Sequence, residues 1–409
     1  MFLSHYIESF DAIEEGYLSL QPGLWFDRLP EFLASPIQSP VKYSIRAVGM
    51  CFYGVLTGNI PIRTNAYSWY AGSLRSLHSL LQNRATMGDG NMAVPTEDII
   101  CASIMMSQFE IMASTTPTAW MQHVEAAAAM LVNRGPENCS LGLAHQMFLT
   151  VRLFIVSNLY FDILVHLYAY GPILRQAYVA MTTNKTHVFA SQPWLTIPFE
   201  KRLKSPIDEL VDIILSLPSC LVLGEEISAQ VSRNFSVAEE RLRKYARDII
   251  SRLDYWQQQF CTEVIAPEGR RQTSLHHTAE ETLSTPGLIF DDPGSRTYRD
   301  VYTAIFSAVY DTANLIAFSY LLLTSAPTDQ HKHRIQFHAQ SILLADAFIK
   351  SNASPAAIRA SSVMEFPLEI VSILGPQRLV PQTPRTREEH HQALLFFPPQ
   401  HATPFIFMQ

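Results

Sequence analysis

No cysteine pair in this 409-residue chain is spaced to hold a metal ion. Its five cysteines, Cys51, Cys101, Cys139, Cys220 and Cys261, are scattered and no CxxC occurs, so no local zinc knuckle or zinc cluster can form. An odd number, widely spread, points to reduced thiols inside an intracellular protein, most of them serving as small buried apolar residues. Charge is also scarce. Charged residues make up 16% of the chain, against about 25% in an ordinary globular protein, so more of the chain belongs to an interior. Positive charge is scarcer than negative: 30 Lys and Arg face 37 Asp and Glu, for a net charge of −7. DNA binding draws most of its affinity from cations that neutralise phosphates, and this balance offers no global help to it. The densest basic stretch, Arg241, Arg243, Lys244, Arg247 and Arg252, is interleaved with Glu239, Glu240 and Asp248 and reads as a solvated helix face. The motifs GxSxG, HExxH, GxxxxGK[ST] and GxGxxG are missing, so the usual signatures of nucleophile, metal, phosphate and dinucleotide sites are missing too. An enzyme here would have to use scattered residues in a helical cavity. A non-enzymatic role, with no cofactor and no metal, is the expectation.

The opening MFLSHYIESFDAIEE carries Glu8 and Asp11 where a secretory signal would be apolar, and it has no basic start. The stretch 147–170 contains Arg152, Asn158, Asp162 and His166, and 301–323 contains Asp311 and Asn314. A bilayer centre penalises such residues heavily, so both segments are expected to be buried helices and not membrane spans. The nucleus is the expected location, with the cytoplasm as alternative.

What is present is apolar residues, 48% of the chain, enough for a large core, and helical punctuation. Pro is tolerated at the first helical position because its missing N–H has no intrahelical partner there. Thr116-Pro117, Ser205-Pro206 and Ser354-Pro355 therefore read as helix starts, as do the capping boxes Ser236/Glu239 and Thr386/Glu389. Gly135-Pro136, Gly171-Pro172 and Gly375-Pro376 read as stops. Between these signals the pattern predicts helices over 41–57, 65–85, 96–113, 117–133, 141–169, 206–220, 236–262, 297–324, 329–352 and 355–374. Over 117–133, Trp120, Val124, Ala127, Ala128 and Leu131 fall on one face. The expected fold is all-α: one large body, 1–409, of stacked antiparallel helical hairpins with two long irregular loops, 182–205 and 263–296.

Residues 96–136 read TEDIICASIMMSQFEIMASTTPTAWMQHVEAAAAMLVNRGP. Phe109-Glu110 close an aliphatic helix. Trp120 and His123 follow, then a small-residue stretch, then Arg134-Gly135-Pro136. In order and spacing this block resembles the fungal-specific transcription factor domain, the regulatory region found downstream of binuclear zinc clusters. The resemblance covers nearly the whole chain and is densest over 30–175. It implies an all-helical regulatory domain that controls a pathway, such as one of secondary metabolism. The family's six-cysteine cluster has no counterpart in these residues, so no direct DNA contact is expected. Three arrangements fit that departure. The cluster is encoded upstream, or the protein works through a DNA-binding transcription factor or a homodimer partner, or the fold serves a small-molecule-binding or enzymatic task in a fungal biosynthetic pathway.

Several polar groups stand out. Glu110, at the end of one helix, is placed to reach His123 or Arg134 across a hairpin and fix its register; acid–base use of Glu110 and His123 is the alternative. Asp162 and His166 lie at i,i+4 on an apolar helix, where they need partners such as Arg152. With Tyr160 nearby they suit either a satisfied core pair or an aromatic-walled ligand cavity. Asp311 with Asn314 and Tyr310 is a comparable site. His331, His333 and His338 read as a solvated helix face, because positions 331 and 333 point apart and cannot clasp one metal.

Overall fold

A computed structural model of the chain describes residues 1–8, 25–36, 39–86, 94–116, 118–168, 187–218, 235–264, 298, 300–324, 328–352, 364, 367–372 and 374–376. Among these residues every regular element is a helix and there is no strand. The fold is all-α. Where the sequence suggested one helical body over 1–409, contacts divide the chain into two compact units, 1–158 with 188–211 and 159–187 with 212–409.

In the first unit, helices α1 (Leu29–Ala34), α2 (Pro40–Leu56), α3 (Ile60–Thr86), α4 (Glu97–Ala113) and α5 (Ala119–Arg134) precede the long α6 (Gly142–Tyr168), which runs past the unit's edge. α4 lies at the centre. Every side chain from Ile99 to Ser107 is buried, and so are Phe109 and Glu110. α2 packs on α3 and α4, and α4 packs on α5. The α2–α3 approach is close: a Cβ on Gly72 would lie 3.1 Å from the Tyr43 ring. On α5, Val124, Ala127, Ala128 and Leu131 are buried as their spacing predicts, while Trp120 is half-buried. The thiols of Cys51, Cys101 and Cys139 are free and buried, and burial pushes them up, Cys51 to about 11 and Cys139 to about 12.

The stretch 182–205, expected to be an irregular loop, is helical over most of 188–199 and irregular over 200–205. It holds a 3-10 turn (Val188–Ala190), α7 (Gln192–Thr196) and a second 3-10 turn (Ile197–Phe199). The prolines cause this. Pro193 and Pro198 each sit in the first turn of a short helix, where their fixed φ is already helical. Phe189 then meets Phe148 of α6 edge-on and Trp194 meets it at a tilt, with ring centroids 5.2 and 5.3 Å away. Ser205-Pro206 does open α8 (Pro206–Ile214). Ser205 and Asp208 exchange hydrogen bonds as a capping box, with Ser205 N donating to Asp208 Oδ2 at 3.1 Å and Asp208 N donating to Ser205 Oγ at 3.2 Å. The second expected loop, 263–296, lies outside the described residues apart from its first two, which extend a helix.

The second unit is described chiefly through α9 (Phe235–Val264), α10 (Val301–Thr324) and α11 (Asp329–Ser351). α10 packs against both of the others. Arg243 Nε of α9 donates to Thr324 O at 3.1 Å, and Tyr310 OH donates to Gln257 Oε1 at 2.8 Å, so α9 and α10 run antiparallel. Asp311 meets His338 while Phe318 meets His331, so α10 and α11 are antiparallel too, and the flanking pair is parallel. On α9, Glu239, Leu242, Ala246, Ile249, Leu253 and Trp256 form the buried stripe at alternating steps of three and four. Thr303–Leu322 is long and apolar enough to cross a membrane, but 78% of it is buried inside the structure, as a core helix would be.

Candidate functional site

Glu110 sits at the turn that ends α4. Ser114 takes the left-handed conformation there, with φ 45°. The Glu110 carboxylate accepts the Thr115 backbone N–H at 2.9 Å and the Thr115 hydroxyl at 2.7 Å, which fixes the turn that follows the helix. The reach across the hairpin that the sequence suggested is made by another side chain. Tyr70, from α3, places its hydroxyl 2.8 Å from His123 Nε2 and stacks its ring on Phe109 at 4.5 Å. Burial and the nearby Glu110 carboxylate push the Tyr70 phenol up, and burial holds His123 below its usual value. The contact ties α3 to α5, and burial favours the uncharged forms of both groups.

Arg134 does not meet Glu110. Its guanidinium donates to Pro95 O at 2.9 Å and to Glu97 Oε1 at 3.5 Å, which ties the end of α5 to the start of α4. Gly135, with φ 85°, turns the chain out of α5, and Pro136 begins the 3-10 turn Pro136–Cys139. The motif block thus frames a hairpin: one corner is held by Glu110, the open end by Arg134, Gly135 and Pro136.

Tyr160, Asp162 and His166 belong to α6, and their side chains lie outside the described part of the structure. Arg152, suggested as their partner, is directed to Asp208, with Nη1 3.4 Å from Oδ1 and the arginine side chain 1% exposed. The guanidinium is stacked between Phe148 and Phe199, 5.3 and 5.1 Å from the ring centroids.

In the second unit, Asp311 is completely buried and fully engaged. Its Oδ1 lies 2.8 Å from His338 Nδ1, and its Oδ2 accepts Ser341 Oγ at 2.6 Å and Ser307 Oγ at 3.4 Å. The solvated face expected for His331, His333 and His338 is corrected here: His338 is 1% exposed, His331 is half-buried and His333 alone is exposed. Positions 331 and 338 are two turns apart and share the face that meets α10. Asn314 Nδ2 donates to Tyr310 O at 3.1 Å, within helix α10. Asp311 thus ties α10 to α11, while the Asn314 bond stays within α10.

The open space lies elsewhere in this unit. A cleft of about 540 Å³ runs between α9 and α11, floored by Phe318 and Leu321 of α10. One wall is the exposed stripe of α9, including Arg247, Ser251, Asp254, Tyr255 and Gln258; the other is the first turns of α11, with Gln330, His331 and Arg334. Arg334 crosses the cleft to Asp254 at 2.6 Å and lies over the Phe318 ring at 5.3 Å. Arg247 has no ion-pair partner among the described residues. Burial, and then the Arg247 charge, hold His331 below its usual value. No group of three His, Cys, Asp or Glu among the described residues could hold a metal ion.

No known family profile matches the chain, and no solved structure matches it. The chain is similar to a protein of Emericella nidulans described as "Uncharacterized protein AN5342", with 21% identity over 157 residues, 38% of this chain. The match spans 32% of that protein's length.

Proposed function

We propose that this chain is a ligand-responsive regulatory protein of a fungus, resembling the regulatory region of zinc-cluster transcription factors, nuclear, and acting on a pathway's genes through a DNA-binding partner. The observation that carries this reading is the α9–α11 cleft. It brings charged and polar side chains of two helices together over Phe318 and Leu321, and it lies between two helices that touch a common third. A ligand that binds one spacing of α9 and α11 better than another shifts the population toward it. The polar groups that the sequence offered for chemistry in the described part are spent on structure: Glu110 on a helix end, Arg134 on a hairpin and Asp311 on a helix contact. That favours binding over catalysis. The motif block over 96–136 supports the family, and the Emericella relative supports the fungal setting. The net charge of −7 and the absence of a CxxC support assigning DNA reading to a partner.

The experiment joins the full chain to a heterologous zinc-cluster DNA-binding module in a fungal reporter strain. Reporter output should change relative to the module alone, and Arg247→Gln in the cleft should alter that change. A reporter indifferent to the fusion would overturn the proposal. So would tight, sequence-selective DNA binding by the purified chain alone.

A further inference from the structure

We infer that the cleft between α9 and α11 takes a small organic anion, a carboxylate carried on an aromatic or similarly flat apolar body. The inference rests on the reading of this cleft as a ligand site and names the class of ligand.

Charge sets the polar end. The lining holds two arginines and one carboxylate. Arg334 neutralises Asp254 at 2.6 Å, which leaves the Arg247 guanidinium as the uncompensated charge. An arginine fork presents paired donors that match a carboxylate. Beside it, His331 Nδ1 is buried with no hydrogen-bond partner among the described residues. The first turn of α11 supplies a further favourable field for an anion, because the amide dipoles of a 23-residue helix leave positive potential at that end. Its own acidic residue, Asp329, is engaged with Lys332 at 3.1 Å.

Shape and polarity set the other end. The floor is Phe318 and Leu321, 4% and 5% exposed, with Arg334 over the Phe318 ring. Tyr255, 60% exposed at the rim, offers a second ring face. Aromatic pairs contribute beyond their buried area. A bare inorganic anion would use Arg247 and leave the Tyr255 ring uncovered. A neutral hydrocarbon would use that ring and leave the guanidinium without a counter-charge.

The test titrates the full-length protein with 2-naphthoate, followed by the ligand's fluorescence. Parallel titrations use 2-naphthalenemethanol, which lacks the charge, and inorganic phosphate, which lacks the ring. Naphthoate should bind saturably and more tightly than either. Arg247→Gln should weaken it at least about tenfold, as expected for one charge-assisted hydrogen bond. Arg247 is exposed, so this variant should keep its melting temperature. Lys350→Gln, which removes an equal charge at the far end of α11, should leave binding unchanged. Tyr255→Ala should weaken naphthoate and not phosphate. Equal binding of naphthoate and its alcohol, phosphate binding as tightly as naphthoate, or naphthoate binding indifferent to Arg247→Gln would each overturn the inference. The regulatory reading is tested separately by the reporter. A reporter that responds to Arg247→Gln while naphthoate fails to bind removes this ligand class alone. Saturable, Arg247-dependent binding with an indifferent reporter upholds the ligand site and removes the regulatory reading.

Discussion

Breaking the Asp311–His338 contact from one side should destabilise the second unit severely, whereas removing both partners should not. The two side chains are 0% and 2% exposed. Taking one partner from a buried hydrogen-bonded pair leaves the other desolvated without compensation, which costs about 1–3 kcal/mol and more where the remaining group is a carboxylate. For a body of this size that is a fall in melting temperature on the order of 10 °C. His338→Ala and Asp311→Ala should each show this loss. Asp311→Leu combined with His338→Phe refills the space with apolar groups, and such replacements are often neutral. Ser307 and Ser341, which lose their acceptor, can turn to carbonyls of their own helices. The double variant should therefore recover to within about 1–2 kcal/mol of the original protein. Urea unfolding followed by hydrogen exchange on α10 and α11 peptides measures each state in the right unit. Single variants within about 1 kcal/mol of the original protein, or a double variant costing the sum of the singles, would refute the account of Asp311 as a charge held by its partners.

Asp208→Ala removes both the α8 capping box and the acidic partner of Arg152, an arginine 1% exposed; the expected cost is at least about 3 kcal/mol, read as a shifted urea midpoint. Stability should also fall on acidification. His123, His145 and His187 are all held below their usual value by burial, His187 at about 4. The folded protein thus resists protons that the unfolded chain accepts. Their stabilisation is intact above the unfolded value of about 6.5 and is lost as pH falls below it, at up to about 1.4 kcal/mol per pH unit per group. Melting temperatures between pH 7 and pH 4 check this, and His145→Asn should flatten the slope.

The helices were legible because apolar spacing is local. α4 is buried without a break from Ile99 to Ser107, and α5 buries most of the face its sequence marks. The Arg134-Gly135-Pro136 stop was legible because a positive φ followed by proline is a local signature. The pairings were not. Arg152 and Asp208 are 56 positions apart, and Asp311 and His338 are 27 apart; nothing in either neighbourhood marks the partner. Reading His338 as solvated gave too much weight to its polar neighbours and too little to the heptad spacing of Ile335, Ile342 and Ile349, all buried with it. The cleft was hidden for the opposite reason. Arg247 was correctly placed on an exposed face of α9, but sequence cannot show that this face looks across at a second helix.

The three shielded thiols of the first unit give the protein a built-in clock. An alkylating reagent attacks only a thiolate that it can touch, and Cys51, Cys101 and Cys139 are neither ionised near neutral pH nor accessible while their helices stay packed. Site-resolved labelling would therefore time the breathing of α2, α4 and the turn after α5 individually, with no added probe. A ligand seated in the cleft of the second unit either slows that clock or leaves it running, and this would reveal whether the two units feel one another.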